Sequence, residues 1–288
     1  KDRELPDALD FVEYLCSLPV DAVLVQDMGL FSLLRQWAPA LPVHASTQMS
    51  LHTPGGVKLL WELGASRVVL SRELSLEEIR EIRRACPVEL ESFVHGALCM
   101  SVSGQCYLSA LLGGRSGNRG LCAQPCRLAY RWPGDRQTSH PLSLKDLSLA
   151  GHLGQLEEMG VACLKIEGRM KRPEYVAVVT AIYAAALREH REPTREEMAQ
   201  LEAAFSRQGF TQGYFLDRKG PAMFGTRPEG TRDPADLFAQ AKQFYTRGEH
   251  RPVPVTLSAR GQLGEPVTLT ARDADGHTVT AQGAAPQP

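Results

Sequence analysis

The residues of this chain with the clearest capacity for chemistry are four cysteines that lie close together in the sequence. They are spaced as Cys99-x6-Cys106-x15-Cys122-x3-Cys126. Thiolates are soft ligands, and four that converge can hold an iron–sulfur cluster or a structural zinc ion. The spacing therefore predicts a metal centre built from this one segment.

Three kinds of cysteine site compete for this pattern. Zinc sites usually contain paired knuckles of the form Cys-x2–4-Cys, and only Cys122 and Cys126 come near that form. Disulfides fit poorly, because the chain has an odd total of seven cysteines and shows no signal segment. The spacing favours an iron–sulfur cluster over zinc, and unligated or redox-active thiols remain as the third alternative.

The charge pattern around the cysteines is also unusual. Residues 92–132 contain no Asp or Glu, but they include Arg115, Arg119, Arg127 and Arg131. Arginines would stabilise the negative charge of a thiolate-ligated cluster, and they could equally bind the phosphates of a nucleic acid. We predict phosphate contacts for these arginines, and for Arg115 and Arg119 in particular.

Strands and helices alternate through the first part of the chain. Short β-branched or apolar runs predict strands at residues 21–27, 43–48, 67–71, 89–94 and 162–167. This alternation predicts a parallel sheet covered by helices, and the strand spacing suits a (β/α) barrel or a doubly wound sheet. No Gly-rich dinucleotide fingerprint follows a strand, so we favour a TIM-like (β/α) barrel. Because a full barrel needs eight strands, we expect it to be N-terminally incomplete in this chain.

The pattern predicts helices and domains as well. Ser75 and Glu78 are spaced as a capping box that starts a helix, and further helices are predicted at residues 147–159, 175–189, 195–207 and 234–245. The predicted regions are a partial barrel at 1–190 with the cluster-binding segment 91–131, a helical and irregular extension at 191–250, and a small β module at 251–288, which we expect to be truncated.

Composition limits the classes of partner. The 288 residues are 43% hydrophobic and carry a formal net charge of −1, so any binding of polyanions must come from a local patch rather than from global charge. Cysteine usage and the lack of a targeting signal favour a reducing, cytoplasmic setting.

Polar residues cluster where the predicted strands end. Active residues of a barrel lie at the carboxyl ends of its strands, and those ends contain His44 and Gln48, Arg72, His95, and Glu167 and Arg169. His44, Ser46 and Gln48 alternate along one strand and should face the same way. A polar stripe facing an apolar core is costly unless a partner or a ligand satisfies it.

Several motifs resemble one known family. Glu91-x-Phe-Val-His-Gly-Ala-Leu-Cys99-x4-Gly-x-Cys106-x-Leu-Ser109 resembles the signature of the U32 peptidase family. His44-Ala-Ser-Thr-Gln48, Ser143-Leu-Lys-Asp146 and Lys165-Ile-Glu-Gly-Arg169 recur in the same order. The resemblance covers roughly residues 21–186, and family members begin with further β/α units.

The resemblance implies a cofactor and a reaction. The family was named for collagenase-like proteolysis, but its better-understood members resemble oxygen-independent hydroxylases of RNA or quinones that carry a [4Fe-4S] cluster, with prephenate implicated as hydroxyl donor. Their cluster ligands correspond to Cys99, Cys106, Cys122 and Cys126. We expect hydroxylation of an RNA pyrimidine, with a 23S rRNA cytidine favoured and the tRNA wobble uridine next.

Position and chemistry then give the other residues their roles. Arg169 and Arg72 would pair with a dicarboxylate donor, because a guanidinium fork matches a carboxylate. Glu167 or His95 would move protons, and His44 and Gln48 would contact substrate.

Two alternatives to the hydroxylase stay open. A U32 collagenase-like peptidase is the first, although the chain has neither an H-E-x-x-H nor a G-x-S-x-G motif. The second is a non-catalytic, cluster-binding subunit that pairs with a related U32 subunit.

Overall fold

A computed structural model describes residues 2–134, 136–246, 254–262 and 266–283 of the protein. The chain divides into two compact units, Lys1–Lys242 and Gln243–Pro288. Each unit contains its own β-sheet. Residues 251–253, 263–265 and 284–288 of the predicted β module lie outside the described residues.

All five predicted strands are present in the first unit. They are β1 (Val23–Val25), β2 (Val43–Ala45), β3 (Arg67–Val69), β4 (Glu89–Ala97) and β6 (Cys163–Ile166). β1 pairs with β2, β2 with β3, β3 with β4, and β4 with β6, always in parallel. The prediction of a parallel sheet with intervening helices is therefore confirmed.

Helices connect and cover these strands. Their bounds are α1 (Leu5–Cys16), α2 (Met28–Trp37), α3 (Pro54–Glu62), α4 (Leu76–Ala85), α5 (Leu108–Gly113), α6 (Leu153–Glu158), α7 (Pro173–Arg188), α8 (Arg195–Ala204) and α9 (Ala235–Thr246). The predicted capping box is confirmed at α4, where the Ser75 hydroxyl accepts the Glu78 amide and the Glu78 carboxylate accepts the Ser75 amide. Ile79 and Ile82 then face the core, which stabilises the helix against the sheet.

The core of the first unit lies between the sheet and its helices. Parallel strands buried on both faces are rich in apolar side chains, and the fully buried ones here include Val43, Ala45, Val68, Val69, Leu90 and Val94. Phe31 and Leu34 of α2, Val57 of α3 and Val179 of α7 pack with them. This core fixes the strand ends from which the polar side chains project.

The chain departs from a regular β/α succession after the cysteine segment. The predicted helix at residues 147–159 is only partly correct, because Asp146–Ser148 forms a strand, β5, and α6 begins at Leu153. β5 pairs antiparallel with β4 through Ala97–Asp146 and His95–Ser148, and pairs in parallel with the short β7 (Phe210–Thr211). Leu147 and Leu149 are buried in the sheet and core, so tertiary pairing prevails over their helix-like spacing.

The sheet order of the first unit is β1-β2-β3-β4-β5-β7, with β6 also on β4. Within the described ranges, β1 lies at one end of this order and pairs with β2. The fold is therefore a mixed α/β structure with a largely parallel sheet, and its continuation into a closed barrel stays a prediction.

The second unit has a small antiparallel sheet of β8 (Val255–Arg260), β9 (Thr268–Asp273) and β10 (Thr278–Gln282), in the order β10-β9-β8. A turn joins β9 to β10. There the Asp273 carboxylate accepts the His277 amide at 2.8 Å. Among the described helices of the chain, none is long and apolar enough to cross a bilayer.

Candidate functional site

One cavity of about 610 Å³ brings together most of the residues that the sequence singled out. Cys99, Cys106, Cys122 and Cys126 all line it, although fifteen residues that include α5 separate Cys106 from Cys122. Residues at or near the strand ends complete the lining, and they include Gln48, Arg72, Lys165, Glu167 and Arg169. The structure thus places the four thiols and the predicted donor-binding residues around one space.

Each thiol has a different structural support. Cys99 follows the end of β4, Cys106 precedes α5, and Cys126 lies in the short 3-10 turn Pro125–Arg127. The Cys122 sulfur accepts the Gln124 amide at 3.3 Å and lies 3.9 Å from the Ser109 hydroxyl. Donors of this kind stabilise a thiolate ligand and adjust the properties of its metal.

The distances between the thiol sulfurs bear on which metal group they could hold. Four thiolates on one zinc ion, at about 2.3 Å each, lie roughly 3.8 Å from one another. In the described parts of the chain, the group of three or more possible ligand atoms within 4.8 Å is Asp273, Asp275 and His277, not the cysteines. No three of the four cysteine sulfurs lie within 4.8 Å of one another.

Two of the four thiols, Cys99 and Cys126, lie where burial disfavours the charged form. Burial raises the pKa of the Cys99 and Cys126 thiols, and Arg72 and Arg127, respectively, oppose that shift. Cys99 is still accessible from the cavity. Because metal ligands must be deprotonated, metal binding here would release protons.

The cysteine segment is tied to the strand ends by polar contacts. The Gln48 amide group donates to the backbone and side-chain oxygens of Asn118, at 3.0 and 3.2 Å. Asn118 in turn donates to the Gly104 carbonyl oxygen at 2.8 Å. Gly104 has a φ of +81°, and a Cβ atom there would clash with the Gln48 backbone. The positive φ and the clash explain why a glycine lies two residues before Cys106. The bonds from Gln48 hold the cysteine segment against the end of β2.

A second anchor involves Ser103, which sequence reasoning missed. The Glu73 carboxylate accepts both the amide and the hydroxyl of Ser103, at 2.8 and 3.0 Å. Ser50 donates to the Ser103 carbonyl oxygen at 2.6 Å. Ser103 is 2% exposed, and its position in the Val-Ser-Gly run between two cysteines was the available signal. These bonds hold the loop between Cys99 and Cys106 against the sheet.

Arg72 and Glu167 form the central charged pair of the cavity. Arg72 Nη2 lies 2.6 Å from Glu167 Oε2, and Arg72 Nη1 lies 3.8 Å from the Cys99 sulfur. The guanidinium stacks over the Phe93 ring, 3.8 Å from its centroid. Phe93 was not predicted as a site residue, although the period of two along β4 places it on the same face as Glu91.

Glu167 is positioned by its backbone as well as by Arg72. Its amide donates to the His95 carbonyl oxygen at 2.8 Å, and its carbonyl oxygen accepts the Tyr175 hydroxyl at 3.3 Å. Its second carboxylate oxygen accepts the Arg169 amide at 3.0 Å. Arg169 lines the cavity with an exposed side chain. The alternate positions Lys165, Glu167 and Arg169 therefore all face the cavity, as the period of two indicated.

His95 does not lie in this cavity. It is 1% exposed, and its ring packs against those of Tyr183 and Phe210, with centroids 5.4 and 5.2 Å away. Its Nδ1 lies 3.1 Å from the Tyr183 hydroxyl. Burial lowers the pKa of His95 to about 3, with Lys171 contributing. The pairing of β4 with β6 shifts register between Phe93 and His95, which directs His95 away from the face of Phe93.

His44 is also apart from the thiols. Ser46 and Gln48 line the cavity, whereas His44 lies farther down β2, level with Arg67 in the sheet register. Burial and the charge of Arg67 lower the pKa of His44. Arg67 pairs with Glu89 at 2.8 Å, and Lys165 pairs with Glu91 at 2.6 Å. His44 therefore lies among the charged residues Arg67, Glu89, Glu91 and Lys165, of which Lys165 also lines the cavity.

The predicted phosphate-binding arginines have different surroundings. Arg119 makes two 2.9 Å bonds to the Glu4 carboxylate, and Arg115 donates to the Leu121 carbonyl oxygen at 3.0 Å. Both side chains are exposed. Arg127 instead donates to the backbone oxygens of Leu98 and Leu144. Arg127 therefore ties the turn that holds Cys126 to residues outside that turn, and its phosphate contact stays a prediction.

Comparison with known proteins identifies the family. Peptidase family U32 matches residues 1–224. The 23S rRNA 5-hydroxycytidine C2501 synthase of Escherichia coli is 41% identical over 247 residues, which are 84% of this chain and 35% of that protein. The tRNA hydroxylation protein P of Helicobacter pylori is 36% identical over 223 residues, 71% of this chain and 53% of that protein.

A further relative has a different name. The Collagenase of Porphyromonas gingivalis is 33% identical over 224 residues, covering 69% of this chain and 53% of that protein. The chain thus spans about a third to a half of the length of these relatives. The family match covers the whole cysteine-lined cavity, and the chain belongs to peptidase family U32.

Proposed function

We propose that this chain is the cluster-bearing part of an enzyme that hydroxylates a pyrimidine of RNA without molecular oxygen. The observation that carries the proposal is the convergence of four cysteine thiols on one cavity with Arg72, Glu167 and Arg169. The relatives named for rRNA hydroxycytidine synthesis and tRNA hydroxylation support the reaction class.

A [4Fe-4S] cluster fits the donor set. Four thiols that line one cavity, with no three of the sulfurs within 4.8 Å of one another, support a polynuclear cluster. Cys99, Cys106, Cys122 and Cys126 would hold it, and Arg72 beside the Cys99 sulfur would offset its negative charge. When bound, the cluster would supply the Lewis-acid or electron-transfer chemistry that activates the hydroxyl donor.

The cavity residues would bind the donor and move a proton. Arg72 and Arg169 offer guanidinium groups for the carboxylates of a donor such as prephenate. Glu167, whose carboxylate reaches the same space, is the proton acceptor that we favour. The buried His95 is outside the cavity lining, so we assign it no direct proton transfer.

The substrate that we favour is a cytidine of 23S rRNA, followed by the tRNA wobble uridine. The relative named for 23S rRNA is the most identical of the three compared, and it aligns over 84% of this chain. Exposed Arg115 and Arg119 would contact phosphates. We also propose that the five parallel strands belong to a (β/α) barrel, which would place the cavity at the carboxyl ends of its strands.

A peptidase is the second candidate, because a relative is named Collagenase. A cysteine nucleophile needs a thiolate and a nearby base. Burial instead raises the pKa of the Cys99 thiol, and His95 is directed into an aromatic interior. These surroundings favour the hydroxylase.

The decisive experiment is mass spectrometry of rRNA and tRNA nucleosides from a strain that lacks the gene, with complementation by the full-length protein. Loss of one hydroxylated pyrimidine, restored by the wild type but not by Cys99→Ser, is the expected result. Unchanged RNA with gelatin cleavage that persists after iron removal would favour the peptidase. Unchanged RNA with a stably bound related U32 subunit would favour a non-catalytic role.

A further inference from the structure

We propose that Glu167 is an internal ligand of Arg72 that an incoming carboxylate displaces, so that donor binding and release of Glu167 are one exchange. This inference rests on the donor site of the proposed function and adds a regulatory step to it. Without a bound donor, the Glu167 carboxylate is paired with the Arg72 guanidinium. With the donor bound, a carboxylate of the donor takes that place.

Contacts of Arg72 leave Nη2 of its guanidinium as the place where one carboxylate can replace another. The ring of Phe93 lies against one face, 3.8 Å from the guanidinium carbon, and the Arg72 backbone amide is fixed by the Ser103 hydroxyl at 3.3 Å. Nη1 is directed at the Cys99 sulfur. Nη2 holds Glu167 at 2.6 Å. A second carboxylate that bonds to Nη2 in the same way would take the place where Glu167 now sits.

The burial of the two partners favours exchange over simple opening. The Arg72 side chain is 11% exposed and the Glu167 side chain 24% exposed. In the described part of the chain, Arg72 Nε is buried without a hydrogen-bond partner. An unpaired, largely buried guanidinium is costly, whereas replacing one carboxylate by another keeps the charge compensated. A ligand carboxylate is therefore the group best suited to displace Glu167.

Glu167 has a second anchor that keeps it in the cavity after displacement. Its other carboxylate oxygen accepts the Arg169 amide at 3.0 Å. Its backbone is fixed on both sides, by the His95 carbonyl oxygen and by the Tyr175 hydroxyl. Loss of Arg72 would leave these bonds intact. The displaced carboxylate would remain next to the bound ligand, where a proton acceptor is needed.

The exchange also affects the surroundings of the Cys99 thiol. Arg72 is the group that touches both Glu167 and Cys99, through the two nitrogens of one rigid fork. When a ligand carboxylate replaces Glu167, Nη2 is drawn in a different direction. Because the guanidinium is rigid, Nη1 then moves relative to the Cys99 sulfur. Occupancy of the carboxylate site is thereby coupled to the hydrogen bond at a cluster ligand.

The test is calorimetric titration of the full-length protein with malonate, used as a simple dicarboxylate probe. Glu167→Gln keeps the size of the side chain and removes the competing charge. If Glu167 occupies Arg72 about nine-tenths of the time, its removal should tighten malonate binding about tenfold. Arg72→Lys should weaken binding at least about tenfold, because the fork is lost. Glu89→Gln is the matched control, since Glu89 pairs with Arg67 outside the cavity.

Each outcome decides a separate point. If the wild type binds malonate and Glu167→Gln binds it equally or more weakly, the exchange is refuted but the donor site is not. Glu167→Ala has no amide to replace the carboxylate, and it must give the same answer. If neither the wild type nor either Glu167 variant binds malonate while all keep the wild-type melting curve, the exchange is wrong. Tighter binding by Glu167→Gln together with unchanged RNA nucleosides in the deletion strain would support the exchange and refute RNA hydroxylation.

Discussion

Gly96 and Glu167 lie in direct backbone contact: a Cβ atom added to Gly96 would be 2.5 Å from the Glu167 carbonyl oxygen. Gly96 has a φ of +107°, which L side chains rarely adopt. The glycine lies in β4 just after the register shift and lets the end of β6 approach. A single residue without a side chain thus sets the distance between β4, which leads to Cys99, and the segment after β6 that carries Glu167.

Gly96→Ala should therefore destabilise the protein and displace Glu167. The backbone strain alone costs about 1–3 kcal/mol, and the clash adds to it. The measurement is the free energy of unfolding in urea. The control is Gly154→Ala in α6, where a Cβ would meet nothing within 4 Å and a gain of about 0.5–1 kcal/mol is expected. Equal stability of the two variants would contradict this account of Gly96.

Iron content tests the metal centre. Protein purified without oxygen should be brown and contain about four irons per chain, and serine at any of Cys99, Cys106, Cys122 or Cys126 should deplete the iron. Cys163→Ser is the matched control, because Cys163 begins β6 and does not line the cavity. Stoichiometric zinc without iron under the same conditions would refute the cluster.

His95 should make stability depend on pH. Its pKa is about 3 in the folded protein, against roughly 6.5 when unfolded. Between these values the unfolded state binds a proton that the native state does not. The contribution of neutral His95 to the free energy of unfolding is therefore fully present above about pH 6.5. It is lost as the pH falls from about 6.5 to about 3, by up to about 1.4 kcal/mol per pH unit.

The check compares urea unfolding of wild type and His95→Gln at several values between about pH 6 and pH 4. The variant should lose less stability over this range. His52→Gln, at an exposed histidine, is the control and should follow the wild type. Parallel curves for wild type and His95→Gln would mean that His95 is not held neutral.

Arg115 and Arg119 should contribute to RNA binding. Changing both to Gln should weaken binding and reduce the slope of log affinity against log salt by about one for each phosphate that the protein no longer neutralises. Removal of the exposed Arg119–Glu4 pair should cost little stability. Arg84→Gln with Arg188→Gln removes two other exposed arginines. If both double variants behave alike, the two arginines have no specific role.

Arg169→Lys should impair the reaction although it keeps the charge. An ammonium cannot form the bidentate bonds that a guanidinium offers to a carboxylate. The hydroxylated nucleoside in cellular RNA should fall at least about tenfold, with iron content unchanged. Arg188→Lys, on an exposed helix end, should restore full modification. Normal modification by Arg169→Lys would exclude a donor contact at this residue.

The sequence alone determined the parts of this protein that short-range patterns encode. The five parallel strands followed from runs of apolar residues, the start of α4 from the capping spacing of Ser75 and Glu78, and the four thiols from their spacing. The period of two also placed Lys165, Glu167 and Arg169 on one face. These features depend on neighbours within one element, so local rules suffice.

Only the tertiary structure decided which of these side chains meet. The register shift after Phe93 sends His95 into an aromatic interior, where simple alternation would have kept both on one face. The salt bridge from Arg72 to Glu167 joins residues at the ends of different strands, and no local pattern carries that pairing. Leu147, with helix-like spacing, is drawn into β5 because pairing with β4 buries it. Long-range packing chooses among locally acceptable states, since it contributes more free energy than the preference of any one segment.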